Sequence, residues 1–154
     1  GLYVSGSVGF GRAVTTNKLE VEGNASKTTA GDWLANSDKR IKTDIAEIDN
    51  SLELIKRLHP VKFKYTEEWK KRNPSIKDHY YYNFIAQEYQ KIFPESVKGS
   101  GEFLDGDTEE ILQLDSYNAQ VVAIKAIQEQ QKQIETMQNQ IDALIKEIEI
   151  LKNK

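Results

Sequence analysis

Cysteine is absent from the 154 residues, histidine occurs twice and proline three times. The first absence excludes disulfides and thiolate metal sites. With only His59 and His79 available, neither a catalytic zinc nor a histidine-based triad is expected, and no metal or other cofactor is called for. No apolar run approaches the roughly 18 residues that a membrane span needs. A formal net charge of -3 leaves no large basic field for nucleic acid. The opening GLYVSGSVGFG lacks the basic and continuous apolar regions of a signal peptide. These absences argue against membrane and nucleic-acid partners and for a soluble protein partner.

What is present is modest. With 38% hydrophobic and 29% charged residues, the chain can bury one small core, and a mean hydropathy of -0.63 implies a solvated or elongated remainder. It reads as a fragment of something longer. Residues 1–36 are rich in Gly, Ser, Thr and Asn, with short alternating runs at Leu2-Tyr3-Val4 and Lys18-Leu19-Glu20-Val21-Glu22. That pattern predicts short strands between turns. Too few apolar residues lie here for a private core, so the segment is expected to fold only against copies of itself or a body upstream.

From residue 38 the period changes. Ile41, Ile45, Ile48, Leu52 and Ile55 recur at steps of four, three, four and three, which predicts one helical stripe. A break is expected near Asp49-Asn50-Ser51, because Asn50 followed three residues later by Glu53 reads as a capping box; Pro60 then ends the second helix. Val61, Phe63 and Tyr65 alternate with Lys62 and Lys64, a half-buried strand. Residues 80–85 read as a second strand pairing with it across the polar loop 66–79, with Tyr80 to Tyr82 divided between core and surface. Ala86 to Phe93 predicts a short helix stopped by Pro94, followed by Ser96-Val97-Lys98, a turn at Gly99-Ser100-Gly101 and a strand from Ile111 to Leu114. Trp33 reads either as a contact at the end of the first segment or as the last buried residue of a strand.

Ile127, Gln130, Ile134, Met137, Ile141, Leu144, Ile148 and Leu151 repeat at alternating three and four, a heptad with isoleucine at a and mixed residues at d. A lone helix would expose this seam to water, so it needs partners, and the loss of pure leucine at d points to a parallel trimer. The other reading is one long helix packed back on the body. The expected class is therefore α+β, in three parts: short strands over 1–36, a small α+β body over 37–118 with protruding loops, and a helix over 119–154 forming a parallel trimeric coiled coil.

The stretch NSDKRIKTDI, residues 36–45, carries the candidate chemistry. Ser37 before a charged helical segment is an ordinary N-cap. Five residues apart in one regular helix, Ser37 and Lys42 would point about 140° apart and could not meet. They can meet if Ser37 lies in extended chain before the helix, or if Lys42 comes from a neighbouring subunit. A lysine that takes a serine proton has to be neutral, which requires burial and nearby positive charge, for which Lys39 and Arg40 are candidates. Spacing alone leaves cap and nucleophile both open.

NSDKRIKTDI, then LIKRLHPVKFKY at 54–65, NFIAQEYQKIFPESV at 83–97 and ILQLDSYNAQVVAIKAIQ before the heptads together resemble the peptidase S74 family. These are C-terminal intramolecular chaperone domains of bacteriophage tail fibres, tail spikes and endosialidases. The resemblance implies a Ser37–Lys42 dyad that cuts between Asn36 and Ser37, with Asp38 and Arg40 as motif support; Arg40 would tune the lysine or bind the shaft, or else lie on a solvated helix face. It implies a homotrimer that registers the upstream fibre shaft of its own chain and is released after cleavage, in a virion tail-fibre precursor made in the host cytoplasm. The polar segments 66–79 and 99–109 would project toward the shaft as arms. A permanently attached, uncut fibre tip that binds a host receptor is the alternative.

Overall fold

The structure, a computed structural model, describes residue 1 and residues 3–153. The strand expected at Leu2-Tyr3-Val4 includes Leu2, which lies outside the described residues; Tyr3 and Val4 belong to no strand. The chain is mixed α and β, with small two-stranded sheets and a long C-terminal helix. It divides into two compact units, residues 1–45 with 60–114, and residues 46–59 with 115–154.

In the first unit, β1 (Val8–Phe10) and β2 (Leu19–Val21) pair in parallel. So short a connection between parallel strands is unusual, and a side chain holds it: Glu20 accepts the backbone N–H groups of Thr15, Thr16 and Asn17 at 3.2, 2.9 and 2.8 Å. The segment is expected to fold only against copies or an upstream body, yet in the single chain it also bonds onward to Ser75, Ser100 and Glu102.

β3 (Pro60–Phe63) and β4 (Tyr81–Phe84) pair antiparallel, with Val61 opposite Asn83 and Phe63 opposite Tyr81. The alternation read from the sequence holds: Phe63, Tyr65 and Tyr81 cluster with ring centroids 5.1–6.2 Å apart, while Tyr80 and Tyr82 are exposed. The intervening segment is no bare loop. Thr66 caps α2 (Glu67–Arg72) by accepting the Trp69 amide, with acids in the first turn and bases in the last, so the helix dipole is complemented at both ends. α3 (Ala86–Tyr89) places Tyr89 between Phe84 and Phe93, at 5.0 and 5.2 Å. With Val97, Tyr89 and Phe93 are the buried apolar residues among those described in this unit.

β5 (Val97–Phe103) and β6 (Glu110–Leu114) complete the unit as an irregular antiparallel pair. Gly99-Ser100-Gly101, expected as a turn, lies inside β5. Its glycines answer to close approach instead: a Cβ at Gly99 would collide with the Glu110 carboxylate, and Gly101, at φ +74°, lies against Thr15.

In the second unit, α1 (Ser51–Arg57) packs on α4 (Tyr117–Lys152). The buried residues are Ser51 and, at helical steps along α4, Ala119, Val122 and Ala126. α4 has 36 residues, about 54 Å of helix, and residues 131–153 are exposed throughout. Its heptad seam is thus uncovered in a single chain. Asn50 makes no side-chain cap, because its φ of 55° and ψ of 35° are left-handed rather than the extended geometry a capping box needs. Among the described residues, no helix is long and apolar enough to cross a membrane.

Candidate active site

Of the helical stripe expected from residue 38, Leu52 and Ile55 lie in α1, but ahead of the break at Asp49-Asn50-Ser51 only residues 39–41 are helical, and they form a single 3-10 turn. Asp38, in extended backbone, caps that turn by accepting the Arg40 amide at 2.8 Å. The last bond, Lys42 N–H to the Lys39 carbonyl at 3.2 Å, returns the chain to extended geometry at Lys42. Ser37 precedes this bracket and Lys42 follows it. The tighter turn brings together two side chains that a regular helix would separate: the Lys42 ammonium Nζ donates to Ser37 Oγ across 2.6 Å.

The cap reading of Ser37 is corrected by this geometry. Asp38 holds the cap position, and the Ser37 hydroxyl is engaged with Lys42. The Arg40 guanidinium grips the Asp38 carboxylate with two bonds of 3.0 and 2.7 Å. That pairing holds the Asp38 carboxyl below its ordinary range and raises Arg40 above its own. Arg40 therefore spends its charge on Asp38, although its side chain is 88% exposed.

Asn36, Ser37 and Lys42 are all exposed. So are the large apolar residues flanking them: Trp33, Leu34, Ile41 and Ile45. Trp33 is in no strand and is not buried, so the reading of it as a last core residue is also corrected. Among the described residues, no group of three or more His, Cys, Asp or Glu side chains is placed to hold a metal ion.

Residues 37–98 match the peptidase S74 family, described as chaperone of endosialidase. The S74 match begins on Ser37 and bears out the recognition made from NSDKRIKTDI and the two motifs that follow it. A chaperone segment of S74 type is the coarse function it supports. A solved structure described as a novel intramolecular chaperon is similar at 19% identity, over 63% of this chain and 99% of its own, with a TM-score of 0.42. No curated protein matches the chain.

One cluster was missed in the sequence. Glu20 is 7% exposed and meets Arg12 at 3.2 Å, and Arg12 also reaches Glu102 at 3.0 Å. The amides of Asn17, Thr16 and Thr15 hold the Glu20 carboxyl down at about 2. The one local signal was Glu20 itself, an acid between Leu19 and Val21 in an alternating run.

Proposed function

We propose that the chain is a self-cleaving C-terminal chaperone of a tail fibre or tail spike. Residues 1–36 would be the shaft end, 37–118 the chaperone body and 119–154 a parallel homotrimeric coiled coil, made in the host cytoplasm as part of the virion precursor. The three-stranded coil raises the local concentration of shaft ends and sets their register, which is the slow step for a fold of high contact order. Cleavage then makes the shaft kinetically trapped, because it has lost the element that nucleated it.

The observation that carries this reading is the 2.6 Å contact between Lys42 Nζ and Ser37 Oγ, at the first residue of the S74 match. Lys42, in its neutral form, takes the Ser37 hydroxyl proton as Oγ attacks the Asn36 carbonyl carbon. The Asn36–Ser37 C–N bond breaks, the proton passes to the departing Ser37 amine, and Asn36 is left as an ester on Oγ. Water hydrolyses that ester, restoring the hydroxyl and freeing the Asn36 carboxylate. A neighbouring copy packed over Trp33, Leu34, Ile41 and Ile45, all exposed in one chain, would shield the Ser37–Lys42 contact from water. Assembly would thereby gate the chemistry.

A denaturing gel of freshly expressed chain tests the reading. Two fragments, 1–36 and 37–154, are expected. One intact band at all times would instead support a permanently attached fibre tip.

A further inference from the structure

We infer that β5 and β6 form a receptor for the segment Val8–Glu22, so that the residues upstream of Asn36–Ser37 stay bound to the body after that bond is cut. The inference rests on the proposed cleavage only for what cuts the chain; the docking stands apart from it. Arg12 is the central contact, bridging Glu20 on its own segment and Glu102 on β5 at 3.2 and 3.0 Å. Thr15 Oγ1 donates to the Ser100 carbonyl at 2.5 Å, and Lys98 Nζ donates to Asn17 Oδ1 at 2.8 Å. Gly101 has no side chain to hold Thr15 off. Beyond the strands, Glu22 accepts from the Ser75 amide at 3.3 Å and from its hydroxyl.

The contacts made by this segment with Ser75, Lys98, Ser100 and Glu102 join parts of the chain 53 to 90 positions apart, and none of them passes through the stretch that holds the cut. Residues 23–36 are exposed and form neither helix nor strand. Cutting their far end removes the covalent link and leaves the docked groups in place. The ion pairs are partly desolvated, with side-chain exposures of 24% for Arg12, 5% for Glu20 and 21% for Glu102, so water screens them less than exposed pairs. Losing the link turns an intramolecular contact into a bimolecular one. Release of the shaft end is then a second step, sensitive to salt, that follows bond scission.

The test uses the full chain carrying Ser37→Ala, with a site for a specific protease inserted between Asn24 and Gly31. The cut is then made by the added enzyme, so failure of self-cleavage leaves this measurement intact. After complete cutting on a denaturing gel, native size exclusion at low salt is expected to show the N-terminal piece co-eluting with the body, and at 1 M salt, where the Debye length is about 3 Å, separating from it. Arg12→Ala, placed on the small piece where it cannot unfold the body, is expected to weaken retention about tenfold. Separation of the parent pieces at low salt would overturn the inference. So would an Arg12→Ala piece retained as tightly as the parent.

Discussion

Glu129 caps the helix that opens at Ser51, its carboxylate accepting the Ser51 and Leu52 amides at 3.2 and 2.9 Å from 78 and 77 positions away. The Leu52 amide is the main cause holding its carboxyl below the ordinary range. Replacing Glu129 with alanine strips the acceptor from the first turn of α1, where free N–H groups otherwise need water. The melting temperature is expected to fall by a few degrees and amide exchange at Ser51 and Leu52 to quicken, with helicity of α4 retained. Unchanged exchange at those two amides would remove Glu129 from the cap.

Tyr89, 1% exposed and packed between Phe84 and Phe93, is the best-buried aromatic of its unit. Tyr89→Ala leaves a cavity as well as losing transfer energy, and is expected to cost about 3–5 kcal/mol by urea denaturation. A loss under about 1 kcal/mol would mean the aromatic cluster is not this unit's core.

Glu20 sets a pH dependence whose sign follows from its environment. A carboxyl lowered from 4.5 to about 2 contributes stability that is complete above its unfolded value and is lost as pH falls from about 4.5 toward 2. The charged groups facing it are Arg12 and, through Arg12, Glu102 and Glu22. Hydrogen exchange at the Thr16 and Asn17 amides is expected to stay slow at pH 5 and to accelerate, beyond the intrinsic pH effect, between pH 4 and 2. Glu20→Gln is expected to abolish that step.

The parts of the fold that were legible in the sequence are those set by neighbours in sequence or by a strict period. The β3–β4 pair followed from Val61, Phe63 and the tyrosines, and α4 from its heptads. The parts that were not legible depend on distant groups. Ile41, Ile45 and Ile48 carry helical spacing, yet the chain leaves helical geometry at Lys42 and takes a φ of 51° at Asp44. Asn50 and Glu53 spell a capping box, but Glu129 supplies the cap. Gly99-Ser100-Gly101 spells a turn, but Glu110 and Thr15 need the space. At the site, the Ser-x4-Lys spacing was visible, whereas the 3-10 turn that closes it depends on Asp38 taking the cap.

The heptad seam gives a prediction about assembly. Ile134, Met137, Ile141, Leu144 and Ile148 are about half exposed in one chain, so the chain is expected to sediment as a trimer. Ile134→Asp with Ile141→Asp would bury like charges at successive a positions and is expected to give monomers. Cleavage is expected to fall with assembly. A stable wild-type monomer in analytical ultracentrifugation would remove the coiled coil from the account.

The most direct test of the central claim is the mass of the C-terminal fragment from the wild-type chain, measured beside Ser37→Ala and Lys42→Arg. Ser37→Ala removes the attacking oxygen, and Lys42→Arg replaces the amine with a guanidinium that stays protonated and cannot accept the proton. The account predicts a wild-type fragment beginning Ser37-Asp38-Lys39, and both variants intact at every pH while still trimeric. A cut at any other bond, or continued cutting in Ser37→Ala, would contradict it.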